Sequence, residues 1–127
     1  MSSTYQDLRV WQKAMDLAVE IYRTTDRFPK HELYGLIGQI RRAAISVPSN
    51  IAEGKGRRTD REFAVFLFHA RGSLLEIETQ IILARRLQYL QEESASSLLR
   101  ATAGIGSALS GLINSLRSRA TVENELT

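Results

Sequence analysis

Arg41-Arg42-Ala43-Ala44-Ile45-Ser46-Val47-Pro48-Ser49-Asn50-Ile51-Ala52-Glu53-Gly54-Lys55-Gly56-Arg57-Arg58 is the stretch on which the fold turns. It starts as an amphipathic helix, carries a proline inside the helical pattern, and ends in two glycines and a basic turn. Proline lacks an N–H, and its ring crowds the carbonyl four residues back, so Pro48 is expected to bend this helix. Ser46, Ser49 and Asn50 surround the expected bend, and short polar side chains can satisfy the backbone groups that a proline frees. Between Arg41 and Arg61 six basic residues stand against Glu53 and Asp60, a net of +4, whereas the whole chain carries +3. The positive charge is therefore local.

Working outward, the apolar spacing is helical throughout, and only Pro29 and Pro48 interrupt it. The helix containing the opening stretch is expected over about 31–53, with the stripe Leu33, Leu36/Ile37, Ile40, Ala44, Val47 and Ile51. Gly35 and Gly38 lie inside it and are read as points of close helix–helix approach. The following helix, about 60–88, has the clearest start. Thr59-Asp60-Arg61-Glu62 fits a capping box, with Thr59 as N-cap and Glu62 reaching back. Phe63, Ala70, Ile77 and Ala84 repeat every seven residues, with Leu67, Leu74 and Ile81 between them. Such a repeat favours nearly antiparallel, slightly supercoiled packing.

Upstream, a first helix over about 8–25 takes Asp7 as N-cap. It carries two neighbouring stripes, Trp11/Met15/Ala18/Tyr22 and Val10/Ala14/Leu17/Ile21. Phe28, in the connection 26–30, is expected to fold back onto the core. Downstream, a fourth helix over about 92–118 shows Leu98, Thr102, Ile105, Leu109, Leu112 and Leu116 among small residues that permit close backbone approach. The polar tail over 120–127 is expected to fray. The residues 1–127 thus read as one all-α domain, an antiparallel up-down-up-down four-helix bundle. Tyr22, Phe66 and Phe68 add apolar surface beyond one inward stripe, which predicts a second buried face between subunits.

Composition narrows the chemistry. The chain has no cysteine, hence no disulfide, thiolate nucleophile or cysteine ligand, which fits a reducing cytoplasm. No signal-peptide pattern and no uninterrupted apolar span are visible, so a cytoplasmic protein without membrane contact is expected. Bundle di-iron centres need Glu-x-x-His pairs, but the residues three before His31 and His69 are Phe28 and Phe66. Neither histidine has an evident nucleophile beside it, and Lys55-Gly56 lacks the glycine spacing of a phosphate loop. No metal, no cofactor and no catalytic residue is expected.

The sequence resembles the intervening-sequence protein family, four-helix bundles encoded within insertions in bacterial large-subunit ribosomal RNA genes. The resemblance is carried by Asp7-Leu8-x-Val10-Trp11-Gln12-Lys13-Ala14, by Phe28-Pro29-x-x-Glu32-x-Tyr34-Gly35-Leu36, and by Gln39-Ile40-Arg41-Arg42-Ala43-Ala44. It continues through Ser46-Val47-Pro48-Ser49-Asn50-Ile51-Ala52-Glu53-Gly54 and Gly72-Ser73-Leu74-x-Glu76-x-Glu78-Thr79. The fold is similar to that of the accessory variability protein of diversity-generating retroelements, a five-fold barrel that works with a reverse transcriptase. The resemblance implies a homo-oligomer, a ring-shaped homopentamer, and nucleic-acid binding.

Two groups of polar residues remain. Residues level across a turn near residue 57 bring Arg41 and Arg42 close to Ser73 and Glu76, and Glu53 close to Glu62. The structural reading pairs Arg41 or Arg42 with Glu76 or Glu78, while Asn50 and Ser46 bond near Pro48; the other reading is a functional polar site. Lys55, Arg57, Arg58 and Arg61 form a basic turn, either a solvated connection or a set of phosphate contacts, since arginine forks fit phosphate oxygens. Repeated around a ring, one such turn per subunit becomes a basic ring able to hold a polyanion. The expected function is a non-enzymatic oligomer that binds RNA, single-stranded nucleic acid or a protein that handles it. A structural protein–protein adaptor is the rival, and an enzyme with a polar site near Asn50 and Glu53 stands third.

Overall fold

The computed structural model describes residues 4–126, with side chains described over 4–120. Four long helices follow one another: α1 (Arg9–Thr25), α2 (Gly38–Lys55), α3 (Asp60–Arg86) and α4 (Glu92–Leu126). Among the described residues there is no strand. The protein is an all-helical bundle.

One apolar core runs through all four helices. α1 contributes Val10, Ala14, Leu17, Ala18 and Ile21, and α2 contributes Ile40, Ala44, Val47 and Ile51. α3 buries the whole seven-residue repeat, Phe63, Ala70, Ile77 and Ala84, with Leu67, Leu74 and Ile81 between. α4 buries Leu98, Thr102, Ile105, Leu109 and Leu116, and adds Ala95 and Ile113, while Leu112 is half-buried. On α1 only one of the two expected stripes faces inward as a whole. Met15 and Tyr22 of the other remain 39% and 38% exposed.

Several local expectations are corrected. Asp7 is not the N-cap of α1. It ends a short 3-10 turn, Tyr5–Asp7, where its carboxylate accepts the Thr4 N–H at 3.0 Å, and Leu8 stands at the cap position without a side-chain bond. The second helix does not start at 31. Lys30–Glu32 makes a 3-10 turn and Leu33–Ile37 a wider π-type turn, and regular helix begins at Gly38. Gly35 leaves helical geometry there, with φ −105° and ψ −115°. Neither Gly35 nor Gly38 marks a helix–helix approach. A Cβ at Gly35 would lie 2.6 Å from Glu32 Oε1, and one at Gly38 would lie 3.0 Å from the Leu33 carbonyl. Of the glycines of α4, Gly104 and Gly111 face open space, whereas a Cβ at Gly106 would lie 3.9 Å from Leu74 on α3. α4 continues to Leu126, past the expected end near 118; the expectation of a frayed tail falls largely on side chains outside the described residues.

Glu32 explains why the chain turns before α2. Its carboxylate accepts the Leu36 N–H at 3.1 Å and the Tyr89 O–H at 2.9 Å. One side chain thus ties the turn to the connection between α3 and α4. Beneath it Phe28, 3% exposed, packs with Leu36, Ile37 and Ala84 in a second apolar cluster.

These bonds favour ionised Glu32. The Leu36 N–H first, and the Tyr89 O–H second, hold its carboxyl below the usual carboxylate range. Donation to Glu32 raises the Tyr89 phenol. A lowered acid adds stability that is complete above the ordinary carboxylate range and lost as pH falls through the lowered value. A raised phenol adds stability that is complete below the ordinary phenol range and lost as pH rises through the raised value. Glu32→Gln is therefore expected to be less stable than wild type at neutral pH, and the gap should close on acidification. Melting curves taken down the acid limb test this. A gap that stays constant with pH would show that the carboxylate charge is not involved.

Candidate functional site

The basic turn is built by the close meeting of α2 and α3. α2 ends at Lys55, and the Gly56 and Arg57 N–H groups return to the carbonyls of Glu53 and Gly54 at 3.2 and 3.0 Å. Thr59 Oγ1 accepts the Glu62 N–H at 3.1 Å and starts α3 as N-cap, but the return bond expected from the Glu62 carboxylate is not formed. Buried Gly54 lies where a Cβ would meet Phe66 Cβ at 2.7 Å, Phe63 Cδ1 at 2.9 Å and the Phe63 carbonyl at 3.2 Å.

Each basic side chain then finds a distinct setting. Lys55 Nζ lies 5.9 Å from the centre of the Phe63 ring. The Arg57 guanidinium lies 4.6 Å from the centre of Phe66 and pairs with Glu53 at 3.1 Å. Glu53 is therefore engaged within its own helix end and not set against Glu62. Arg58 and Arg61 are exposed and have no carboxylate partner among the described residues. Arg61 rims a shallow cavity of about 290 Å³ between α3 and α4, floored by Ala64, Phe68 and Leu116. Asp60, also on that rim, accepts two bonds from Arg119 at 2.9 and 2.8 Å.

Sequence reasoning missed the aromatic–cation contacts on the two sides of α3, Phe66 toward α2 and Phe68 toward α4. Phe66 meets His69 edge-on, with ring centres 5.9 Å apart and planes at 73°. Phe68 has the guanidinium of Arg71 at 4.8 Å and that of Arg117 at 5.3 Å. Arg71 also donates to Ser110 Oγ at 3.2 Å. The spacing Phe66-x-x-His69 and Phe68-x-x-Arg71 was visible, since residues three apart share a helix face. The stacking of Arg57 on Phe66 across the turn was not.

The other polar group assembles differently from the expectation. Arg41 does not pair with Glu76 or Glu78. It turns to the end of α1, donating from Nε to Thr25 Oγ1 at 2.9 Å and from one terminal nitrogen to the Tyr22 carbonyl at 3.2 Å and Asp26 at 3.0 Å. It also lies 4.5 Å over the Tyr22 ring. The end of α1 presents a hydroxyl, a carbonyl and a carboxylate to one guanidinium, at a helix terminus that carries partial negative charge. Arg42, Glu76 and Glu78 are exposed and form no ion pair among the described residues. Buried Pro48 sits within α2. Near it, the Asn50 amide donates to the Ser46 carbonyl at 2.8 Å and to Ser46 Oγ at 2.9 Å, and Ser73 Oγ donates to Ser46 Oγ at 2.9 Å. The Asn50 bonds stay within α2, and the Ser73 bond joins α2 to α3.

A third feature is a groove of about 840 Å³ between α1 and α4. Leu17, Leu98 and Ile105 line its apolar part, and Lys13, Asp16, Glu20, Arg23 and Glu93 its charged margins. Among the described residues no group of three or more His, Asp or Glu side chains could hold a metal ion. No described helix is long and apolar enough to cross a membrane.

Among solved structures, a protein of unknown function from the S23 ribosomal protein family of Bacteroides thetaiotaomicron is similar in fold. The TM-score is 0.77 and the identity 24%, over 82% of this chain and 97% of that one. No curated protein matches the chain. A family model described as 23S rRNA-intervening sequence protein matches residues 6–111, a span that includes α1, α2, α3, the basic turn and most of α4. The chain belongs to the 23S rRNA-intervening sequence protein family.

Proposed function

We propose that this is a non-enzymatic cytoplasmic protein, an antiparallel up-down-up-down four-helix bundle, that assembles into a ring-shaped homopentamer and binds RNA or single-stranded nucleic acid through the basic turn. The observation that carries the reading is the state of the turn's cations. Arg58 and Arg61 are exposed without a carboxylate partner among the described residues, and Arg57 is braced on an aromatic ring beside them. Guanidinium forks left open to water fit phosphate oxygens. Exposed apolar residues support assembly, since Leu75, Val65 and Leu83 on α3 remain 60%, 48% and 46% exposed. Gly104 and Gly111 leave the surface of α4 smooth enough for a second copy to approach.

The test is a binding isotherm series across salt concentrations, on a sample whose mass is fixed by light scattering. Arg57→Ala combined with Arg58→Ala should leave stability within about ±0.5 kcal/mol, as exposed positions do. It should weaken RNA binding across unrelated sequences and reduce the salt slope by roughly one log unit per lost phosphate contact. A wild-type protein with no salt-dependent affinity for any nucleic acid would replace this reading with that of a protein–protein adaptor.

A further inference from the structure

We propose that the face of α3 beside the basic turn is a stacking site for unpaired nucleobases, centred on Phe66, so that the ligand is single-stranded. This rests on the nucleic-acid reading above and goes beyond it by naming the form of the ligand and the residue that selects it.

Phe66 is unlike the other phenylalanines. Phe63 and Phe28 are buried, and Phe68 packs against the main core. Phe66 is half-exposed and belongs to neither apolar cluster. The ring is nevertheless held. At its root the missing Cβ of Gly54 lets the Phe66 Cβ settle onto α2. The Arg57 guanidinium lies over the ring at 4.6 Å, and His69 meets it edge-on at 5.9 Å. The result is a half-exposed ring seated at its root on α2, with the Arg57 guanidinium over it and His69 at its edge.

The charges around it fit a polyanion. Lys55 ends α2 and Arg57 and Arg58 follow it in the turn, while Arg61 lies in the first turn of α3 on the side that meets α4. Of the nearby acids, Glu53 is bound to Arg57 and Asp60 to Arg119; exposed Glu62 lies at the start of α3. An apolar peptide on Phe66 would leave the open Arg58 guanidinium without counter-charge, whereas a nucleic acid brings a phosphate for Arg58 and a flat base for Phe66 and Arg57. Aromatic rings and guanidinium planes stack on bases whose faces are free. In a duplex those faces are stacked on one another, so the Phe66 ring can be used only by an unpaired strand.

The experiment compares a labelled single-stranded RNA with a duplex of the same length, on the full chain, across a salt series. Phe66→Leu keeps the Cβ contact with Gly54 but removes the ring. It should weaken single-strand binding about ten-fold, within the range of one lost base stack. Duplex binding and the salt slope should not change. Phe66→Trp enlarges the ring and should tighten single-strand binding without changing duplex binding, a readout that does not depend on the leucine variant folding. Equal losses for both ligands in Phe66→Leu, or no loss while the wild type keeps its salt-dependent affinity, would overturn the stacking site and leave the basic turn as a phosphate site. Absence of salt-dependent binding in the wild type would overturn both.

Discussion

Gly54→Ala is expected to destabilise the protein by about 1–3 kcal/mol, although alanine is the better helix former. A glycine in an exposed helix interior costs about 1 kcal/mol relative to alanine, so propensity alone predicts a gain. Packing reverses the sign. The new methyl would meet Phe66 Cβ at 2.7 Å and the Phe63 carbonyl at 3.2 Å. These atoms sit on or next to the backbone of α3 and cannot swing aside as a side-chain tip can. The helices must separate, and the separation would disturb Asn50, Ser46 and Ser73 along the same seam. Gly72 supplies the control. It is exposed on α3 with nothing within 4 Å of a Cβ, so alanine there should be neutral or mildly stabilising. Chemical denaturation of both variants decides the matter. A Gly54→Ala protein as stable as Gly72→Ala would mean that the seam is looser than its distances indicate.

Arg41→Ala is expected to cost about 2 kcal/mol, the scale of a hydrogen bond to a charged group together with a stacked cation. The guanidinium is the shared partner of the last turn of α1. It serves Thr25 Oγ1, the Tyr22 carbonyl and Asp26, and it covers the Tyr22 ring. These links are unequal. Asp26 is 78% exposed, so the ion pair itself contributes little. Thr25 is only 1% exposed but keeps a second bond, donating to the Ile21 carbonyl at 2.7 Å. The loss therefore comes mainly from the helix-end carbonyl, the hydroxyl and the ring that the arginine covers. Arg41→Lys should recover only part of it, because an ammonium lacks the planar fork. Arg42→Ala, one residue away but exposed, should stay within about ±0.5 kcal/mol. If the two alanine variants lose equal stability by denaturant titration, the assignment of Arg41 to α1 is wrong.

Arg41 and Arg42 also show where the sequence stops being legible. Helical periodicity identifies the inward stripes of α3 and α4 and that of the second helix from Leu36 onward, because burial follows the 3.6-residue period; Leu33, expected on that stripe, stays 48% exposed in the π-type turn before α2. Periodicity cannot say toward which neighbour an off-stripe residue leans, since the helices on either side of α2 are equivalent to a periodicity argument. The level across the turn favours pairing with α3, whereas the structure gives Arg41 to α1. The level across the basic turn also differs from the expected one by roughly one helical turn. Ser46 meets Ser73 and Gly54 meets Phe66, because α2 runs to Lys55 and the turn takes up the residues before Thr59. Gly35 read as part of a helix because nothing in the local pattern reveals that Glu32 reaches back to Leu36 and across to Tyr89. The cations of the basic turn were readable as charge. Phe66 was readable only as spare apolar surface, because its partners Arg57 and Gly54 reach it through a tertiary contact.

The groove between α1 and α4 bears on how the molecule comes apart. α1 is secured along α2, where Arg41 grips its end, but it meets α4 much less extensively. α3, in contrast, is packed closely on both α2 and α4. Opening free energy follows the apolar contact that must be broken, so cooperativity is not shared evenly among the four helices. Partial unfolding is therefore expected to release α1 with its N-terminal turn before the packing of α2, α3 and α4 on one another is broken. The Arg41 clamp then acts as a latch on the least firmly held helix, while the basic turn and Phe66 stay on the unit that opens last.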